Sequence, residues 1–94
     1  MIRSYTNEEI NSVWAKGIVV VGYDTNYVRK DCYGALMERK NYGNRNSKFG
    51  WEIDHLVPVS AGGLDTISNL QPLQWENNAS KGDKTLLSTL FRRS

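Results

Sequence analysis

The stretch WEIDHLVPVSAGGLDTISNLQPLQWENNASKGDK, residues 51–84, carries the clearest structural pattern in the chain. Its alternation and turn residues predict a strand at Trp51–His55, a long loop, a second short strand at Leu70–Gln74 and a helix at Trp75–Lys81. Pro72 cannot donate to a ladder, so it places the second strand at a sheet edge or at the end of the pairing. The order strand, loop, strand, helix predicts one supersecondary unit.

Polar residues stand at the ends of these elements. Asp54 and His55 end the first strand, Asn69 precedes the second strand, and Asn78 lies in the helix. An imidazole can take a proton from water near neutral pH, and His55 is the only histidine in the sequence. A carboxylate and an amide oxygen can hold a hard divalent cation and leave positions open for water and phosphate. This set of residues supplies the groups that metal-assisted hydrolysis uses.

The segment from Trp51 to Lys84 resembles the HNH nuclease motif, with fourteen residues from His55 to Asn69 and nine from Asn69 to Asn78. Asn at the third signature position resembles the HNN subset, and the preceding stretch is similar to small standalone bacterial and phage members. The resemblance implies an α+β fold with a ββα-metal unit in the C-terminal half. It also implies an endonuclease that leaves 5′-phosphate and 3′-hydroxyl ends.

The same resemblance assigns the catalytic and metal-binding residues. His55 is the expected general base, and Asp54 and Asn78 are the expected ligands of one divalent cation. An amide oxygen is a hard ligand, which favours Mg²⁺, with Mn²⁺ or another transition metal as the alternative. Asn69 is grouped with the catalytic residues because its amide is expected to bond the backbone around the loop and hold the imidazole in place.

Two further residues have predicted supporting roles. Lys81 follows Asn78 by three positions on the helix and shares its face, so it is predicted to meet a phosphate oxygen. Glu52 lies two residues before Asp54 on the same strand face. It is expected to join the metal shell through water, or to orient Asp54 or a helix cation, with direct ligation as the lesser alternative.

Weaker patterns before residue 51 indicate one helix and a small sheet. Thr6 and Glu9 form a capping-box pattern, and Gly17 suits a left-handed helix stop. The predicted elements are a helix at Asn7–Lys16, strands at Ile18–Val21, Tyr27–Asp31 and Ala35–Glu38, a turn containing Gly34, and a loop over 41–50.

Length and composition bound the remaining possibilities. The 94 residues predict one domain over 1–94, in which 1–50 form a supporting helix and hairpin and 51–84 the ββα-metal unit. A last helix is predicted at 84–92, capped by Asp83, with an apolar stripe of Leu86, Leu87, Leu90 and Phe91. The single cysteine, Cys32, excludes an internal disulfide and a multi-thiolate zinc site, so no structural zinc is expected.

The chain shows no secretory signal and no apolar run near the ~20 residues of a membrane span, so a cytoplasmic bacterial or phage protein without a membrane partner is expected. The net charge is only +2, but the segment 25–50 holds six cations against two acids, a local excess of four. Such a segment is typical of a phosphate-binding surface or, equally, of a solvated hairpin face. The residues predicted to bind nucleic acid are Lys81, Arg29, Lys30, Arg45 and Lys48.

Several functions fit this pattern. A DNA endonuclease is favoured, and the same centre could instead cut RNA. A non-catalytic nucleic-acid-binding module or a purely structural domain would also fit, because Asn69 alone is typical of a turn and Asn78 alone of a solvated helix face. The ordered combination favours the nuclease. The sequence does not indicate an oligomeric state, a target site, or single- or double-strand cutting.

Overall fold

The computed structural model describes residues 3–82, and the predicted helix at 84–92 with its Asp83 cap lies outside the described residues. The chain is a mixture of helix and strand, consistent with the predicted α+β class. The elements are α1 (Asn7–Trp14), β1 (Ile18–Val19), β2 (Val28–Lys30), β3 (Leu36–Glu38), β4 (Trp51–His55), β5 (Leu70–Gln74) and α2 (Trp75–Lys81). Within residues 3–82, no helix is both long and apolar enough to cross a bilayer.

The first helix begins at the predicted capping box. Glu9 N donates to Thr6 Oγ1, and Thr6 N donates back to the Glu9 carboxylate. The expected left-handed stop at Gly17 is wrong: α1 ends at Trp14, and Gly17 does not have a positive φ. Gly17 lies in close packing instead, because a Cβ there would be 3.0 Å from the side chain of Arg29.

A three-stranded antiparallel sheet of β1, β2 and β3 follows, with β2 in the centre. The predicted hairpin between the second and third strands is confirmed, and its turn contains Gly34 with φ of 87°. The β-strands are shorter than predicted. The loop over 41–50 is confirmed apart from a short 3₁₀ turn at Arg39–Asn41 and a bridge from Tyr42 to Trp51.

The second sheet consists of β4 and β5, which pair antiparallel along their full length. The predicted bounds of both strands and of α2 are confirmed. Pro72 lies opposite Ile53. Hydrogen-bonded and non-hydrogen-bonded pairs alternate along an antiparallel ladder, and Leu56 N donates to Asn69 O, so Leu56 and Asn69 are a hydrogen-bonded pair. Counting back from that pair, Pro72 and Ile53 are a non-hydrogen-bonded pair. The ladder therefore loses nothing at Pro72. The helix α2 follows β5 directly, so its residues lie beside β4.

The core lies between α1, β3 and the second sheet. Trp51 is fully buried, and its indole packs against Trp14 and Tyr42 with ring centroids 5.1 and 4.9 Å apart. The same cluster contains Ile10, Val13, Met37 and Leu70. Since Trp51 is the first residue of β4, the core holds the start of the strand in place, and its other end is free to border the site.

Candidate active site

Asp54, His55 and Asn78 border one cavity of about 530 Å³. Neighbouring residues on a strand point to opposite faces, but β4 ends at His55 and the chain bends away before Pro58, so both side chains reach the same space. The helix α2 contributes Asn78 from the side. The remaining described lining residues are Arg3, Tyr5, Ile53, Pro58, Val59, Ser60, Asp65 and Gly82.

The carboxylate of Asp54 is buried between β5 and α2. Its Oδ2 accepts a hydrogen bond of 2.9 Å from Gln71 Nε2 and lies 3.0 Å from Lys81 Nζ, which also donates to Oδ1 at 3.2 Å. A carboxylate has about four lone-pair positions. The three contacts fix its orientation and leave acceptor capacity on Oδ1.

The amide of Asn78 is oriented by Glu52. Asn78 Nδ2 donates to Glu52 Oε1 at 2.8 Å, and Glu52 is also held by two hydrogen bonds from Arg45. Because a carboxylate at this position can only accept, the amide nitrogen faces Glu52 and the oxygen faces away. No described residue donates to Asn78 Oδ1. The pKa of Glu52 is lowered, mainly by the hydrogen bond from Arg45. Partial burial acts in the opposite direction, and the hydrogen bond from Asn78 lowers the pKa further.

The imidazole of His55 contacts a carboxylate that the sequence analysis did not select. His55 Nε2 lies 3.0 Å from Asp65 Oδ1, and Asp65 also accepts from Tyr5 Oη at 3.2 Å and from Arg3 Nε. The hydrogen bond from Arg3 is the main reason that the pKa of Asp65 is lowered, and the bonds from His55 and Tyr5 act in the same direction. Asp65 is therefore ionised near neutral pH.

The long connection between β4 and β5 is fastened by Asn69. Its Oδ1 accepts from Val57 N at 2.9 Å, and its Nδ2 donates to Val57 O at 2.9 Å and to Leu64 O at 2.7 Å. These bonds close the loop that begins directly after His55. Asn69 does not line the cavity, so its influence on the imidazole passes through the loop.

Residues 43–84 match the family model described as HNH endonuclease. That segment is therefore similar to HNH domains. Searches of curated proteins and of solved structures found no match. The matched range contains β4, the loop fastened by Asn69, β5 and α2, and therefore all four of the predicted signature residues. HNH domains belong to nucleases, which act on nucleic acids and generally use a divalent metal.

The side chains at this cavity fit a hard cation. Among residues 3–82, no three His, Cys, Asp or Glu side chains converge as a metal cluster. The available ligand atoms are instead one carboxylate oxygen of Asp54 and the amide oxygen of Asn78, and both residues line the cavity. Mg²⁺ is usually bound by one or two protein ligands, and water and phosphate oxygens take the remaining positions of its coordination shell. Lys81 offsets the charge of Asp54, so we expect weak cation binding that strengthens when a phosphate is present.

The structure argues against a phosphate contact for Lys81. Lys81 is 2% exposed, and its Nζ donates to Asp54 and to His55 O at 2.9 Å. The helical spacing correctly predicted that Lys81 shares a face with Asn78. The burial of Lys81 was not predicted, because it results from the packing of α2 on β4, which places the ammonium against the carboxylate of Asp54.

The other predicted nucleic-acid-binding cations do not line this cavity. Arg29 donates to the carbonyl oxygens of Thr25, Ala15 and Gly17, and so fastens β2 to the end of α1. Arg45 is paired with Glu52 beside the site, while Lys30 and Lys48 border two different hollows. Among the described residues that line the cavity, the cationic side chain is that of Arg3.

Sequence reasoning did not select three cavity-lining residues that are hydrogen-bonded to one another: Asp65, Arg3 and Tyr5. Asp65 is ten residues from His55 and Arg3 is sixty-two residues from Asp65, so no local spacing connects them. A weak signal was available, because Arg3 and Tyr5 precede the capping box and a carboxylate follows the Gly62-Gly63 turn. That signal does not distinguish Asp65 from other exposed acids.

Proposed function

We propose that this protein is a metal-dependent endonuclease that hydrolyses DNA phosphodiester bonds. One observation carries the proposal: Asp54 and His55 from β4 and Asn78 from α2 border the same cavity. A base, a carboxylate and an amide oxygen are thereby available to one phosphate. The match to the HNH endonuclease family supports the reaction class.

His55 is the proposed general base. The Asp65 carboxylate accepts a hydrogen bond from Nε2 of His55, so the neutral imidazole carries its proton on Nε2 and keeps a lone pair on Nδ1. Nδ1 takes a proton from a water molecule as the water oxygen bonds to phosphorus and the bond from phosphorus to the 3′ oxygen breaks. The released 3′ oxygen is protonated from solvent. The products carry 5′-phosphate and 3′-hydroxyl ends.

Asp54 and Asn78 are the proposed ligands of one divalent cation, and Mg²⁺ is favoured, with Mn²⁺ or another transition metal as the alternative. A cation bound there would supply charge compensation for the phosphate during hydrolysis. Lys81 and Gln71 hold the Asp54 carboxylate, and Glu52 holds the Asn78 amide. In this proposal β4, β5 and α2 form the ββα-metal unit.

The test is cleavage of supercoiled plasmid DNA by the purified protein in Mg²⁺ or Mn²⁺. His55→Ala is expected to lower the rate by about 10²-fold or more, because it removes the general base, while circular dichroism and thermal unfolding stay unchanged. Lys40→Ala is the matched control, since Lys40 is exposed and lies outside the cavity. Cutting that survives chelation of all metal, or full activity of His55→Ala, would refute the proposal.

Substrate and products are tested on matched DNA and RNA oligonucleotides of one sequence. DNA is expected to be cut because water is the nucleophile and the chemistry makes no use of a 2′-hydroxyl. New ends should accept a labelled phosphate from a polynucleotide kinase only after dephosphorylation. Exclusive cutting of RNA would replace DNA as the substrate. Nucleic-acid binding without cutting, together with no heat of Mg²⁺ binding, would favour a non-catalytic module.

A further inference from the structure

Asp65 is the meeting point of three donors from distant parts of the chain. His55 comes from the end of β4, and Arg3 and Tyr5 come from the segment before α1. All four side chains border the proposed catalytic cavity. The acceptor is a carboxylate on the loop between β4 and β5, at a position that an HNH resemblance alone does not assign.

The contact determines which nitrogen of the imidazole is available. An ionised carboxylate only accepts hydrogen bonds, so Nε2 must be the protonated nitrogen of neutral His55. No described residue donates to or accepts from Nδ1, which is therefore left for a water molecule. An imidazole whose second nitrogen bonds a carboxylate is fixed in both tautomer and ring orientation.

Arg3 and Tyr5 explain how an exposed loop carboxylate can hold this position. The Asp65 side chain is 36% exposed, and an acid with that freedom would otherwise sample several rotamers. Tyr5 packs against the hydrophobic core, and Arg3 is itself anchored to Glu9 of α1 at 2.8 Å. The contacts form a continuous path from α1 through Arg3 and Asp65 to His55.

We propose that Asp65 is a positioning residue of the nuclease site, and that Arg3 and Tyr5 make the segment before α1 part of that site. Asp65 holds His55 as the Nε2–H tautomer with Nδ1 directed to the reacting water, and Arg3 and Tyr5 hold Asp65. The inference rests on the proposed function in one respect, because it assumes that His55 is the base. The hydrogen-bond path itself does not depend on catalysis.

The single histidine makes the contact directly measurable. Nitrogen-15 NMR of the imidazole at about pH 8, where an ordinary imidazole is neutral, reports the tautomer and the exchange of the ring N–H proton. The Nε2–H tautomer with a slowly exchanging proton is expected in the parent protein. Asp65→Ala should give a mixture of tautomers and fast exchange, and Tyr5→Phe and Arg3→Gln should give smaller changes in the same direction. Glu8→Gln, which removes an exposed acid of α1, should change nothing.

Kinetics separate positioning from a loss of binding. Asp65→Ala should lower kcat by about 10- to 100-fold, as the loss of an orienting partner does elsewhere, and leave KM nearly unchanged. Asp65→Asn keeps an acceptor oxygen and should retain part of kcat. An unchanged tautomer and N–H exchange in Asp65→Ala would overturn the inference, and so would an unchanged kcat. If the parent protein cuts no nucleic acid with any metal, the proposed function fails, while the NMR comparison still decides whether Asp65 positions the ring.

Discussion

Lys81 Nζ lies 3.0 Å from Asp54 Oδ2, and both side chains are almost completely buried. The ammonium also donates to the backbone oxygen of His55, so one buried cation joins α2 to the last two residues of β4. A buried ion pair is costly to form, and removal of one partner leaves an unpaired charge away from water. The pair therefore supports the position of Asp54 and His55 together.

Replacing Lys81 should lower the stability of the fold, and any effect on nucleic-acid binding should follow from that loss of stability. Lys81→Met keeps the length of the side chain and strands the Asp54 carboxylate, which should lower the free energy of unfolding by about 3–5 kcal/mol. Urea titration measures the loss. Lys48→Met, at an exposed lysine, should change the free energy by less than about 0.5 kcal/mol. A stable Lys81→Met protein with weakened DNA binding would instead support a phosphate contact for Lys81.

Asp31 should be as important to the fold as any apolar core residue. It is 1% exposed; its Oδ1 accepts from the backbone N–H groups of Tyr33 and Ala35, and its Oδ2 accepts from Gln74 N and Asn77 Nδ2. The carboxylate thus joins the turn of the β2–β3 hairpin to the junction of β5 and α2. A small domain without disulfides has few such links.

The prediction is that Asp31→Asn, which preserves size, lowers the free energy of unfolding by about 3 kcal/mol or more. An amide nitrogen would replace one oxygen and face two donors, so two buried hydrogen bonds to a charged group are lost. Thermal and urea unfolding measure the effect. Asp24→Asn, in an exposed turn, is the control.

Chelators should leave the parent's unfolding midpoint unchanged; a midpoint that falls with chelation would reveal a structural metal.

The elements near the site were predictable because their signals are local. β4, β5 and α2 have the predicted bounds, since alternation, a Pro at a non-bonded position and a glycine after Lys81 act on neighbouring residues. Tertiary contacts were not predictable in the same way. Glu52 was expected to join the metal shell through water, or to orient Asp54 or a helix cation, and the structure places it against Asn78 and Arg45. Its face follows from strand geometry, whereas its partner depends on where α2 and the 41–50 loop pack.

The anchoring of Arg3 should make stability depend on acid pH through Glu9. The bond from Arg3, followed by the bond from Thr6 N, lowers the pKa of Glu9 from 4.5 to about 2. Because the folded state holds the lower pKa, this contribution is fully present above 4.5 and is lost as the pH falls toward about 2. Glu9→Gln should therefore flatten the fall of the urea midpoint within that window.

The comparison variant is Glu8→Gln on the same turn of α1, which carries no ion pair in the described structure. Other acids, Asp65 and Glu52 among them, also have lowered pKa values, so the informative quantity is the difference between parent and variant. If Glu9→Gln and the parent lose stability with equal slopes between about pH 4.5 and 2, the Arg3–Glu9 pair does not operate in solution.

The orientation of the Asn78 amide should control affinity for the divalent cation. Glu52→Gln replaces an acceptor-only group by an amide that can face Asn78 with either end, so the Asn78 oxygen is no longer held away from residue 52. Affinity for Mn²⁺, measured by calorimetry in the presence of a non-cleavable oligonucleotide, should fall by about 10- to 100-fold. Glu52→Asp keeps the charge and shortens the reach, and should also weaken binding. Arg45→Gln removes the other partner of Glu52 and keeps the bond to Asn78, so it should bind Mn²⁺ nearly as the parent does. A loss in Glu52→Gln with none in Glu52→Asp would show that the negative charge at this position matters and the amide orientation does not.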